Sequence, residues 1–129
     1  MGKRSTSRRL AMQVMFQLDM GQEDLDFLLE QSAQSEKLIA DTVNFAGVLI
    51  KGVRENLPAI DKIISEKSIG WSIERLTNVD RAILRLALYE ILYLQTPASV
   101  VINEAVNLAK KFATAESPKF VNGILGSVV

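Results

Sequence analysis

The sequence predicts an all-α protein of about seven helices, arranged as two packed helical bundles. Three observations carry that expectation. Apolar residues recur at three- and four-residue intervals along most of the chain. Hydroxyl, proline and glycine residues punctuate those runs where helices start and stop. No stretch alternates apolar with polar residues as a half-buried strand would. With 129 residues, 48% of them hydrophobic, the chain has enough apolar material for a folded core. One domain over 1–129 is expected, with an N-terminal helical part to about 66 and a C-terminal bundle from about 67.

The first helix spaces Leu10, Ala11, Val14, Met15 and Leu18 on one face, with Ser5 as the expected N-cap and Gly21 as its stop. Its first turns are basic, which opposes the helix macrodipole and costs about 0.3 to 1 kcal/mol for each exposed cation. An acidic stretch follows, in which Asp19, Glu23, Asp24, Asp26 and Glu30 surround Leu25, Phe27, Leu28 and Leu29. It reads as a short helix with a polar loop after it, and its charge suits RNA poorly. From Ser35 to Leu57 the apolar spacing is helical again, until Pro58 ends the run and opens a short helix through Ile60, Ile63 and Ile64.

The stretch SIGWSIERLTNVD is the expected joint between the two units. Gly70 punctuates it, Ser72 can cap the short turn IERL, and Thr77 with Asp80 three residues later approximates a capping box. The next helix is apolar nearly all round between Ile83 and Leu94 and is expected to be the most buried segment. Thr96 and Pro97 then supply an N-cap and a first-turn proline for a helix to about Ala113, with Val100, Val101, Ala105, Leu108 and Ala109 facing inward. Ser117 and Pro118 repeat that signal for a last helix carrying Phe120, Val121, Ile124, Leu125 and Val128.

Composition excludes more than it suggests. The 15 basic and 15 acidic residues cancel, so net charge provides no general attraction to nucleic acid or to an anionic membrane. Cysteine and histidine are both absent, which removes disulfides, thiolate metal sites, cysteine nucleophiles and imidazole bases. The carboxylates Glu74, Asp80, Glu90, Glu104 and Glu116 lie in amphipathic helices without metal-ligand spacing. Gly47 and Gly52 sit inside a helix without the lysine and serine of a phosphate-binding loop. The expectation is a protein that is not an enzyme and uses no cofactor or metal. No run reaches the roughly 20 apolar residues of a membrane span. The basic N-terminus is not followed by an unbroken apolar stretch, because Gln13 and Gln17 interrupt it. A soluble, cytoplasmic protein with no membrane partner is expected.

The distribution of charge says more. In GKRSTSRRLAMQ, Lys3, Arg4, Arg8 and Arg9 meet no acid before Asp19. Arginine forks suit bidentate phosphate contacts, and small hydroxyl residues leave room for close approach. The run reads either as a nucleic-acid arm or as a solvated, frayed terminus. A second patch, Lys110, Lys111 and Lys119, stands near Phe112 and Phe120. RNA modules pair phosphate-binding cations with aromatic rings on which bases stack, at about 1 to 3 kcal/mol each, although phenylalanine at helical spacing is more often core. Arg81 and Arg85, four apart on one helix, would repel side by side in water. Each is expected to have its own partner, with Glu90 or Glu104 pairing with Arg85 inside the bundle.

Three ordered blocks turn these features into a family resemblance. RRLAMQVMFQLD, ERLTNVDRAILRLALYEIL, and VINEAVNLAKKF followed by SPKFVNGILG resemble the bacterial transcription antitermination factor NusB over nearly the whole chain. The resemblance implies a seven-helix fold in which an N-terminal three-helix unit packs on a C-terminal bundle. It implies binding of boxA-type single-stranded RNA of ribosomal RNA leaders, together with NusE, a small-subunit ribosomal protein. It also implies a place in the RNA polymerase antitermination complex with other Nus factors. Carried over by position, the RNA arm falls on Lys3, Arg4 and Arg8, with Gln13 as a base or sugar contact. The C-terminal RNA-facing segment falls on Lys111, Phe112, Glu116, Lys119 and Phe120, and the NusE face on Phe16, Glu74 and Asp80. Glu116 is expected beside a base, since it would repel phosphate. The rings of Phe112 and Phe120 are expected at the edge of the core, partly exposed, with Lys111 and Lys119 beside them.

Two other readings compete. One is the NusB-like module attached to some RNA cytosine methyltransferases, whose catalytic cysteine this sequence lacks. The other is a self-associating helical protein, with the oligomeric state left open between monomer and homodimer. In that reading the basic patches are occupied by the chain's own acidic stretch Asp19 to Glu30.

Overall fold

Seven α-helices and no strand make up the residues described by the computed structural model, 2–21, 24–69 and 76–129. They are α1 (Lys3–Asp19), α2 (Leu25–Glu36), α3 (Ala40–Glu55), α4 (Leu57–Lys67), α5 (Asn78–Leu92), α6 (Ala98–Phe112) and α7 (Ser117–Val128). Gly70 and Ser72, with most of the expected turn IERL, lie outside the described residues.

Several ends differ from the sequence expectation for visible reasons. α1 starts at Lys3 with Gly2 at its N-cap, so Ser5 is already inside the helix. Its hydroxyl instead donates to Glu104 Oε1 at 2.8 Å. At the other end Gly21 takes φ +105°, the left-handed conformation that favours glycine. The Asp24 carboxylate caps α2 by accepting from the Phe27 N–H at 3.0 Å. α3 begins five residues later than Ser35, because Lys37 turns the chain at φ 55° and the Leu38 N–H returns to the Ala33 carbonyl. Pro58 sits in the first turn of α4, and Thr77 Oγ caps α5 by accepting from the Asp80 N–H at 3.1 Å. Thr96 does not cap α6; its hydroxyl donates to Glu90 Oε1 at 3.3 Å and Pro97 takes the cap position. Ser117 is likewise the first residue of α7 rather than its cap, with its Oγ accepting from the Thr114 N–H.

α5 is the axis of the molecule: it packs against α1, α3, α4, α6 and α7. α1 lies along α3 with α2 over both, while α6 and α7 pair on the other side and α4 joins α5 to α7. The buried set includes Leu10, Leu49, Ile60, Ile83, Leu88 and Leu125, each contributing about 1.5 to 3 kcal/mol of apolar burial. The ring of Tyr89 on α5 lies against the backbone of α3 because residue 52 is glycine. A Cβ there would land in the ring of Tyr89, which in turn stacks on Tyr93 with centroids 5.5 Å apart. The apolar run of α5 is not buried to its end: Leu92, Tyr93 and Leu94 are exposed at the helix terminus and in the connection beyond it. Val100, expected inward, is exposed as well, in the first turn of α6.

Candidate nucleic-acid interface

The basic arm of α1 is tied into the protein rather than fraying from it. Arg8 is only 9% exposed. Its Nε and Nη2 donate to the two oxygens of Glu90 at 2.7 and 2.9 Å, and Glu104 stands 3.8 Å from Nη1. The hydrogen bond to Glu90 raises the pKa of Arg8 further; burial alone would lower it, and the charges of Glu90 and Glu104 add to the rise. Arg8 is therefore a permanent internal cation and not an outward phosphate contact. Glu90 is buried in the last turn of α5, and the arginine together with the Thr96 hydroxyl is what makes that burial tolerable.

The neighbouring cations are also engaged. Arg9 donates to Glu36 at 2.7 Å and to Gln13 Oε1 at 2.7 Å, which holds the amide of Gln13 as an acceptor. Lys3 faces Asp41 at 3.8 Å with both side chains well exposed, and Arg4 lies over the ring of Phe45, 3.9 Å from its centroid. The acids that meet the arm come from α2, α3, α5 and α6, not from the stretch Asp19 to Glu30. Asp19 instead faces Arg81 and Arg85 at 4.0 and 3.9 Å. Arg85 takes Asp61 as its bidentate partner at 2.9 Å, in place of the expected Glu90 or Glu104. Arg8 claims Glu90 because α1 crosses α5 there, whereas α4 brings Asp61 to Arg85.

The second basic patch has the opposite character. Lys110, Lys111 and Lys119 are exposed, and none has an ion-pair or hydrogen-bond partner among the described residues. Lys110 and Lys111 occupy the last turn of α6, where the helix dipole favours cations. Phe112 is 38% exposed beside them. Phe120 is half-buried and packed against the core, one turn into α7. Glu116 is exposed at the N-cap of α7, where a carboxylate complements the dipole. A groove of about 200 Å³ runs between α1 and α6, lined by Ser5, Thr6, Asn107, Leu108 and Phe112 among others. The two patches, a hundred residues apart in sequence, thus share one edge of the fold.

Of the residues expected on a protein-partner face, Phe16 is half-buried on α1 and Glu74 lies outside the described residues. Asp80 is 7% exposed in the first turn of α5, and its Oδ1 has no hydrogen-bond partner among the described residues. Sequence reasoning missed Glu36 and Asp41 as partners of the arm, Phe45 beneath Arg4, and Asn107 and Leu108 in the groove. No local pattern marks them: Arg9 and Glu36 are 27 residues apart and Arg8 and Glu90 are 82 apart.

Comparison with known proteins gives a uniform result. A sequence model of the NusB family matches residues 5–129. The transcription antitermination protein NusB of Symbiobacterium thermophilum is 42% identical over 135 residues, covering 98% of this chain and 88% of that protein. NusB of T. maritima is similar in structure with a TM-score of 0.87 at 38% identity, covering 99% of this chain and 90% of that one. A crystal structure of the antitermination factors NusB and NusE in complex with double-stranded RNA holds a similar chain. Its TM-score is 0.88 at 29% identity, covering 99% of this chain and 96% of that one.

Proposed function

The chain belongs to the NusB family of transcription antitermination proteins, and from that premise we propose that it binds boxA-type RNA of ribosomal RNA leaders together with NusE. In doing so it helps RNA polymerase stay processive, within a complex that includes other Nus factors. The observation that carries the RNA contact is the set of partnerless cations Lys110, Lys111 and Lys119 beside the rings of Phe112 and Phe120. Cations without internal acids are free to replace counterions on phosphate, and partly exposed rings have bases to stack on only where the RNA is unpaired. The RNA of the similar NusB–NusE complex is double-stranded; the single-stranded reading here rests on those rings.

Roles divide accordingly. Lys111 and Lys119 meet phosphates, Phe112 and Phe120 meet bases, and Glu116 stands beside a base. Lys3 and Arg4 add outer contacts from α1, Gln13 lies behind Arg9, and Arg8 holds the arm in place. Phe16, Glu74 and Asp80 belong to the face that receives NusE, with Asp80 fixing the start of α5 beneath it. The protein acts as an adaptor and not as an enzyme, in keeping with a sequence that holds neither cysteine nor histidine. Its place is the cytoplasm, where nascent RNA is made; no helix among the described residues is long and apolar enough to cross a membrane. The two helical parts, to about 66 and from about 67, act as one domain, because RNA contacts from α1 and from α6–α7 have to be held together.

Mobility shifts with boxA RNA and a scrambled sequence, each with and without NusE, test this reading. The expected result is a preference for boxA that strengthens with NusE and weakens steeply with salt. Equal affinity for both RNAs in the presence of NusE would overturn it.

A further inference from the structure

We propose that the groove between α1 and α6 is a pocket for one unstacked nucleobase, read at its edge by Asn107 and selective for a base that carries an exocyclic amino group. This rests on the RNA-binding reading above and names a subsite within it. The groove measures about 200 Å³ and combines an apolar wall with polar groups, as a small-molecule site does. Leu108 and the partly exposed ring of Phe112 supply the apolar surface, and Thr6 is a small residue on the opposite wall.

Charge decides which part of a nucleotide enters. The carboxylate of Glu104 forms part of the wall, held there by the Ser5 hydroxyl at 2.8 Å and by Arg8 at 3.8 Å. Arg9 also lines the groove but is taken up by Glu36 and Gln13, and Arg8 is shared between Glu90 and Glu104, so the wall at Glu104 keeps negative charge and disfavours phosphate. Lys110 and Lys111 stand beside it without acid partners and attract phosphate. A nucleotide is thereby oriented with its backbone along the lysines and its base in the groove. Glu104 can only accept hydrogen bonds, and its oxygens have acceptor capacity beyond the bond from Ser5. Asn107 is exposed, lines the same groove and has no hydrogen-bond partner among the described residues. Its amide provides two donors and an acceptor for a base edge. The carboxylate accepts from the exocyclic amino group of cytosine, adenine or guanine, whereas uracil seated as cytosine would be turns its O4 carbonyl towards the carboxylate and keeps only N3–H as a donor, so uracil is disfavoured.

The test uses the full chain with NusE and a boxA oligonucleotide in which each nucleotide in turn is made abasic, measured against wild type and Asn107→Leu. At one position, removing the base is expected to weaken wild-type binding by about 5- to 100-fold, and uracil there should reproduce most of the loss. The same changes should cost Asn107→Leu much less, because the two alterations remove one interaction. Asn107 is exposed, so the variant should melt as wild type does. Asn107→Ser, which removes the amide without adding bulk, should show the same loss of coupling. If every abasic position costs the variants and wild type equally, no base sits against Asn107 and the pocket is overturned while RNA binding stands. If wild type fails to distinguish boxA from scrambled RNA, the RNA-binding reading falls and the pocket falls with it.

Discussion

The cations of α1 and the lysines of α6 and α7 carry the same charge, yet the fold treats them in opposite ways. Arg8 and Arg9 are closed by Glu90, Glu104 and Glu36, Lys3 faces Asp41, and Arg4 lies on Phe45. Lys110, Lys111 and Lys119 have no such partner among the described residues. Helix polarity accounts for the difference at Lys3, Arg4, Lys110 and Lys111 but not at Lys119, which stands free among the described residues in the first turn of α7. Lys3 and Arg4 fall in the first turn of α1, which holds no acid and where the dipole opposes cations, and Asp41 and the ring of Phe45 compensate. Arg8 and Arg9, one turn further in, are closed by acids of α2, α5 and α6 that pack against α1. Lys110 and Lys111 fall at a helix C-terminus, where the dipole already favours them and the side chains stay free for an outside anion. A cluster of basic residues is therefore an RNA surface only to the extent that the protein has not neutralised it.

The largest effect that tests this contrast is at Arg8. Arg8→Met leaves Glu90 buried without its partner and should destabilise the fold by about 3 to 5 kcal/mol in denaturant melts. The pair Arg8→Met with Glu90→Leu should recover most of that loss, while the salt dependence of RNA binding by the folded protein stays unchanged. A stable Arg8→Met protein with a weaker salt dependence would return Arg8 to the RNA surface and break the comparison. Next comes the combined change of Lys110, Lys111 and Lys119 to Gln. Removing three phosphate contacts should reduce the salt slope by about 2, at about 0.7 per contact on a single strand. Between about 50 and 200 mM salt that corresponds to roughly 20-fold less loss of affinity. The melt should barely move, since the three side chains are exposed and unpaired.

Phe112→Ala should cost about 1 kcal/mol of RNA affinity, the low end for a lost stack, because the ring is only partly exposed. Phe120→Ala, measured beside it, should lose stability as well as affinity because Phe120 packs on the core. The ratio of binding loss to folding loss then ranks the two rings. The smallest effect is expected at Lys3→Gln: an exposed ion pair with Asp41 contributes within about 0.5 kcal/mol to stability. A change in affinity larger than that of Phe112→Ala would show that the arm, and not the C-terminal patch, leads the RNA contact.

Much of this molecule was legible in its residues. The inward positions of α1, the proline at the start of α4, the Thr77 cap of α5 and the inward face of α7 all followed from spacing and from the chemistry of helix ends, which act over one turn of chain. Partial exposure of Phe112 and Phe120 was legible only through the family resemblance, since helical spacing alone placed both in the core. Lys37 shows the limit: Leu38 and Ile39 continue the apolar spacing of α3, but the left-handed Lys37 ends α2 just before them and the extended Ile39 caps α3, so both lie outside the helix.

By itself, then, the sequence determined seven helices, a core along α5 and two clusters of basic residues, because helix formation and amphipathic burial depend on neighbours within three or four positions. Only the tertiary structure decided which cluster is free. Arg8 finds Glu90 across 82 residues, Ser5 finds Glu104 across 99, and Gly52 admits the ring of Tyr89. Ion pairs and grooves belong to the faces that meet when helices pack, and those meetings have no counterpart in the order of residues along the chain.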